Sequence, residues 1–290
     1  MSFRSLDEIV MRCTKTQKNF WRVVLEEDMD ERMSSEEESF QKMTRLYQAM
    51  KTADTAYDKN LESASRLVGH DGERMNQALL AGRVLSGPFI GEVIAKALKM
   101  GESNACMKKI VAAPTAGSCG VIPAVLLTYE EKFQASEQRM IEAMYVASGI
   151  GQVIAAKAFL AGAAGGCQAE IGSASAMAAG ALAYLNGGDD ESIIHAAAMS
   201  LKNLLGLVCD TVGGLVEVPC VKRNVVGAVN AIASADMAVA GIRSKIPPDE
   251  VIEAMREVGE ALPRALRETG EGGLAATPTG REIMNRIMNS

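Results

Sequence analysis

Four of the six cysteines in this 290-residue chain fall in three glycine-punctuated segments, and these segments are where chemistry could sit. They read Pro-Thr-Ala-Gly-Ser-Cys-Gly at 114–120, Gly-Gly-Cys-Gln-Ala-Glu at 165–170, and Cys-Asp-Thr-Val-Gly-Gly-Leu-Val-Glu-Val-Pro-Cys at 209–220. The first has the pattern of a loop feeding a helix N-terminus, with Thr115 or Ser118 as the cap. Free backbone amides at such a terminus would hold a small anion such as a carboxylate. The Gly-Lys-Ser/Thr ending of a Walker loop is absent, and a plain capped turn explains the segment equally well.

Cys167, Cys209 and Cys220 are separated by 42 and 11 positions, with no Cys-x-x-Cys pair, so spacing alone signals a metal weakly. Their context adds to that signal. Cys167 follows two glycines and Cys220 follows Pro219, which keeps both out of helix interiors. Buried packing thiols and a shared metal site both stay open, because free cysteine is among the most buried residue types. Four thiolates close an iron–sulfur cluster for electron transfer, whereas three would leave one iron open as a Lewis acid toward a hydroxyl or carboxylate.

Acid–base groups are few near these segments. Glu170 is the lone acid of a small-residue stretch, three positions after Cys167, and is the candidate base. Lys222, Arg223 and Asn224 follow Cys220 directly and could anchor a carboxylate, or simply form a salt-bridged helix start. The only histidines are His70 and His195; His195 lies in a helical pattern where packing or capping is the expected role. Lys157 alone does not make a pyridoxal phosphate site, since no phosphate-cradling glycine cluster adjoins it.

The elements that must position these groups read as helices, and the fold class is all-α. Leu6, Ile9, Val10, Cys13, Phe20 and Val24 recur at helical spacing, placing Cys13 in the core. Glu26 to Glu38 reads as a solvated loop plus helix start, with Ser35 and Glu38 forming a capping box for a helix running toward Asn60. A third helix is expected over 74–99, broken or kinked near Gly87-Pro88. Between Ala143 and Gly188 only Lys157 and Glu170 are charged, so this segment must be buried on most sides, and its Ala-rich run from Ser173 to Leu185 favours helix. Pro248 opens an amphipathic helix with Val251, Met255, Val258 and Leu262 on one face, and Ile283, Met284, Ile287 and Met288 make a last stripe. We read residues 1–290 as one domain, with helices to about 100, a core from about 105 to 240, and C-terminal helices from about 245.

Composition excludes several classes. A net charge of −6 and the absence of a basic stripe argue against nucleic-acid binding. Apolar content of 48% argues against disorder. The charge-free run 171–188 reaches the lower length limit of a membrane span, but its Gly, Ala and Ser content is too weakly apolar for one. The N-terminus carries charges where a signal peptide is apolar, so the expected location is cytoplasmic, with thiols rather than disulfides.

The three loops resemble those of the iron–sulfur-dependent L-serine dehydratases, and the whole chain is similar to the separate α subunit of the two-chain type. The resemblance rests on Ala-Pro-Thr-Ala-Gly-Ser-Cys-Gly-Val-Ile-Pro-Ala-Val, on Gly-Cys-Gln-Ala-Glu-Ile-Gly-Ser-Ala-Ser-Ala-Met-Ala-Ala-Gly, on Gly-Leu-Val-Glu-Val-Pro-Cys-Val-Lys-Arg-Asn, and on Gly-Leu-Ala-Ala-Thr-Pro-Thr-Gly-Arg at 273–281. It implies deamination of L-serine to pyruvate and ammonia with a 4Fe-4S cluster on Cys167, Cys209 and Cys220. The 115–120 loop is similar to the family's substrate-contacting loop, so Thr115, Gly117 and Ser118 join Asn224 as the expected substrate contacts, beside Glu170 and Lys222 as the expected acid–base residues. A separate β subunit is the implied partner in a hetero-oligomer, and part of the site, including the base, could come from it. Thr211 stands where the family usually has proline after Cys-Asp, which would loosen that turn, and Cys119 stands where another small residue is usual. Iron–sulfur-dependent L-cysteine desulfidation, a non-catalytic cluster-holding subunit and a structural zinc site are the alternatives.

Overall fold

The Ala-rich run singled out by composition is the central helix of the molecule, Ser173–Leu185, and every one of its residues is buried. The structure is a computed structural model that describes residues 3–289; Met1, Ser2 and Ser290, the ends of the span read above as one domain, lie outside the described residues. Among those residues there are thirteen α-helices and no β-strand, so the chain is all-α. They are α1 (Leu6–Thr16), α2 (Phe20–Arg32), α3 (Glu36–Thr55), α4 (Asp71–Leu80), α5 (Gly87–Ala105), α6 (Val121–Phe133), α7 (Glu137–Lys157), α8 (Gly162–Gly165), α9 (Ser173–Leu185), α10 (Asp190–Lys202), α11 (Cys220–Val239), α12 (Pro248–Ala261) and α13 (Pro278–Met288).

Helices α6, α7, α10 and α11 surround α9, and its small side chains are what let four neighbours approach it at once. Gly180 is the tightest point: a Cβ there would lie 2.1 Å from Ile150 Cδ1 on α7. One polar cluster inside this bundle is paired, as burial demands, although Ser173 Oγ on α9 and Ser234 Oγ on α11 are buried without a hydrogen bond. Ser175 Oγ donates to Gly227 O at 2.6 Å and lies 2.7 Å from Ser200 Oγ, while Asn230 Nδ2 donates to Ser200 O at 2.8 Å, tying α9, α10 and α11. Cys13 is buried in the same core, as its helical spacing predicts. No helix among the described residues is long and apolar enough to cross a membrane.

Two boundaries differ from the sequence reading. The first half of the acidic stretch is not a loop but the end of α2, where Glu27 is buried and accepts from Arg12 at 2.6 Å; a buried partner overrides the repulsion expected of a charge run. The Ser35–Glu38 capping box is present at the start of α3. The helix expected over 74–99 is two helices, α4 and α5: of the two alternatives, break or kink, the chain takes the break, over 81–86 just ahead of Gly87, and Pro88 sits in the first turn of α5 where its missing N–H costs nothing. His195 accepts at Nδ1 from the Ser244 N–H, 3.2 Å away, and burial holds its pKa below the ordinary imidazole value, so it packs rather than catalyses.

Candidate active site

Three irregular connections meet at the N-terminal ends of α9 and α11. The chain enters α9 through the short helix α8, then Gly166 at φ 76°, then Cys167 and one π-helical turn, Gln168–Gly172. Gly166 is required here: a Cβ would lie 2.6 Å from Leu262 Cδ1 and 2.9 Å from Leu207 O, besides the positive φ. π-Turns are rare and concentrate at functional sites. Gln168 spends its buried amide on this geometry, donating to Gly165 O and Met255 O and accepting from the Gly206 N–H.

The second connection carries Cys209 and Cys220. Cys209 donates its N–H to Leu266 O at 2.8 Å and accepts from the Glu268 N–H at 2.7 Å, so the tail segment before α13 is laid across it. Asp210 accepts from Arg223 at 2.8 Å and from the Leu274 N–H at 2.9 Å, which explains why the Gly-Leu-Ala-Ala motif sits where it does. Thr211 has φ −58° and ψ 126°, the φ a proline ring would impose, so the turn is not loosened by the substitution. Thr211 Oγ1 is buried without a hydrogen bond. Cys220 is the first residue of α11, separated from what precedes it by Pro219.

The third connection, 114–120, does not use the cap expected of it. Thr115 and Ser118 bond each other, with hydroxyls 3.1 Å apart, and the residue preceding α6 is Gly120, whose N–H donates to Asn224 Oδ1 at 2.8 Å. Asn224 is 1% exposed, and its Nδ2 also donates to Gly117 O at 2.8 Å and Cys220 O at 3.0 Å. It therefore clamps the loop to α11 from behind instead of facing a ligand, and Ser118, fully buried, does the same from within the loop. Gly117 lies on Glu170: a Cβ there would be 3.0 Å from Glu170 Oε2.

The structure brings Cys167, Cys209, Cys220, Glu170, Thr115 and Gly117 together, and it does not bring Lys222. Lys222 is 68% exposed and pairs with Asp71 on α4 at 2.8 Å, because one residue along a helix start turns a side chain about 100° away from its neighbour. The catalytic reading of Lys222 is replaced by a surface ion pair. Its neighbour Arg223 faces inward, donating to Val208 O at 2.7 Å and Asp210 at 2.8 Å and hydrogen-bonding Cys167. Arg223, one of the anchor candidates read from the sequence, thus serves Cys167 and Asp210, and Glu268 is the site residue that the sequence reading did not single out. Glu268 had a faint signal, the dense glycines at 270–273 that mark an irregular segment.

All three cysteines are buried free thiols. Burial pushes the Cys167 thiol up to about 11, with Arg223 pulling it down, and burial pushes Cys220 up to about 12. Cys209 is raised furthest, by burial and then by the charges of Cys167, Glu268 and Cys220. The thiols thus sense one another electrostatically. Among the described residues no three His, Cys, Asp or Glu side chains stand close enough to hold a single metal ion. An iron–sulfur cluster presents a separate iron to each thiolate, so its ligands stand farther apart than those of one ion, and a triad of buried, unbridged thiols beside one guanidinium fits that donor set. Glu170 is half-buried; burial raises its pKa, the Thr115 hydroxyl opposes the rise, and the Glu268 charge adds to it.

Residues 15–275 match the Serine dehydratase alpha chain family. The chain belongs to that family. It is 46% identical to the "Probable L-serine dehydratase, alpha chain" of Bacillus subtilis, with 98% of this chain and 95% of the relative aligned. It is 43% identical to the "L-serine dehydratase, alpha chain" of Peptoniphilus asaccharolyticus, covering 95% of each. Against the longer "L-serine dehydratase 1" of Escherichia coli it is 32% identical, over 94% of this chain and 61% of the relative. The segments on which the family resemblance rested are thus the segments that bring the three cysteines and Glu170 together.

Proposed function

We propose that this chain is the α subunit of an L-serine dehydratase, converting L-serine to pyruvate and ammonia. The observation that carries the reading is the convergence of Cys167, Cys209 and Cys220 on one half-buried carboxylate, Glu170, in a family whose relatives carry that name. Cys167, Cys209 and Cys220 would hold a 4Fe-4S cluster, which when bound supplies an iron without a protein ligand as a Lewis acid for a hydroxyl group. Arg223 holds Cys167 in position and favours its thiolate. Glu170 takes the α-proton. A carboxylate raised by burial is a stronger base than one in water, and the Thr115 hydroxyl aims it. Loss of the proton and of the hydroxyl as water leaves an aminoacrylate, which tautomerises and hydrolyses to pyruvate and ammonia. The 114–120 loop, held by Asn224, forms the wall against which Glu170 rests.

The α-chain naming of the relatives supports a separate β subunit as the partner, so the test is made with it. The anaerobically reconstituted pair is supplied with L-serine, and pyruvate and ammonia are measured together. Equal amounts of both are expected. A cluster-loaded pair that releases neither contradicts the reading.

A further inference from the structure

The reaction above leaves the α-ammonium group of the substrate without a partner, and beside Glu170 and Cys209 stands a second carboxylate, Glu268, whose side chain has no hydrogen bond or ion pair among the described residues. Glu268 is carried on the segment that crosses Cys209, its N–H donating to Cys209 O at 2.7 Å. Its backbone is held at φ 62°, a left-handed conformation that any residue with a Cβ disfavours and that persists only where its surroundings enforce it. The Glu268 carboxylate reaches the same gap as Glu170. A Cβ placed on Gly162 would lie 3.2 Å from Glu268 Oε2, 3.0 Å from Glu170 Oε2 and 3.0 Å from Cys209 Sγ. Glycine at 162 keeps that gap open.

Two carboxylates thus face one small space. Glu170 has the Thr115 hydroxyl, whereas Glu268 has no hydrogen bond or ion pair to its side chain among the described residues. Arg223, the guanidinium of the site, is committed to Val208 O, Asp210 and Cys167. Like charges held this close without a counter-ion repel, and a small cation entering the gap relieves the repulsion while gaining charge-assisted hydrogen bonds. The amino-acid substrate brings one cation, its α-ammonium.

We propose that Glu268 binds the α-ammonium group of the substrate and makes the site selective for amino acids over the corresponding carboxylic acids. This rests on the L-serine reading of the same pocket. The division of labour is then complete: Glu170, supported by Thr115, acts on the α-carbon proton, and Glu268, across Gly162, holds the nitrogen on that carbon.

The test is calorimetric and needs no turnover. L-Alanine keeps the carboxylate and ammonium of L-serine but has no hydroxyl to lose, and propionate lacks the ammonium as well. The anaerobic, cluster-loaded enzyme is expected to bind L-alanine at least about tenfold more tightly than propionate. Glu268→Gln, which keeps side-chain size, is expected to abolish that preference while leaving propionate affinity within about twofold, and Glu268→Asp, which keeps the charge, to restore part of it. A preference that survives Glu268→Gln, an equal weakening of both ligands in that variant, or a wild type without any preference overturns the proposal. Failure of the L-serine reading is separate: there the loaded wild type makes no pyruvate, whatever the Glu268 variants bind.

Discussion

The two ends of the segment 162–185 obey opposite rules. From Ser173 to Leu185 every residue is buried, and Ser175 has its hydroxyl bonded within the bundle. From Gly162 to Gly172 the backbone passes through a positive φ and a π-turn, and the groups it presents are a thiol and a carboxylate whose charged forms burial disfavours. Stability is concentrated in α9 and its neighbours, and the cost of keeping reactive groups dry falls on the turn just ahead of it. The difference teaches that the Ala-rich bundle is a platform, rigid enough to hold a strained entry turn in place.

That contrast can be broken at the reactive end first. Glu170→Gln is expected to lower turnover of L-serine by about 10²–10⁴-fold, the usual contribution of a positioned base. The same change should stabilise the metal-free protein at pH 7. A carboxyl whose folded pKa is raised contributes stability below its unfolded value near 4.3 and loses it as pH rises through the folded value, so Gln and Glu should melt alike at pH 4 and diverge above it. A Glu170→Gln variant less stable than wild type at pH 7 would show that the carboxylate is a structural partner. Arg223→Met leaves Asp210, 5% exposed at its side chain, without its partner and should cost about 3–5 kcal/mol in denaturant unfolding.

The platform end sharpens the same comparison. Gly180→Ala puts a methyl group into Ile150 and should cost about 1–3 kcal/mol by overpacking, with activity per folded molecule unchanged. Loss of activity beyond the folded fraction would mean that α9 transmits strain to the turn. The smallest effect is expected at Thr211→Pro, a gain of about 0.4–1 kcal/mol, because φ already suits proline and an unbonded buried hydroxyl is removed. Destabilisation there would mean that Thr211 Oγ1 or its N–H has a partner in solution.

Most of the platform was legible in the sequence. The scarcity of charge between Ala143 and Gly188 and the Ala run at 173–185 marked the buried helix, because a chain without charges and with small side chains has nowhere to lie except between other helices. The Ser35–Glu38 box was legible because capping is local. The site was legible as residue types but not as directions. Cys167, Glu170, Thr115 and Gly117 converge as their segments suggested, whereas Lys222 and Arg223, adjacent in sequence, end on opposite sides of the helix start. Asn224 and Ser118 turned out to hold the loop rather than face the pocket, since a buried amide or hydroxyl is taken by whatever backbone group lies nearest. Glu268 had only the glycines after it as a signal, because its position depends on a tail segment returning over 59 positions to bond Cys209.

The central claim is that three thiols from two connections, Cys167 from one and Cys209 and Cys220 from the other, hold one cluster, and metal loading tests it most directly. Wild type and Cys167→Ala are reconstituted anaerobically with iron and sulfide, and iron content and visible absorbance are recorded for each. The account predicts about four irons per chain in wild type and little or none in the variant. Equal iron in both, or none in the wild type, would contradict it.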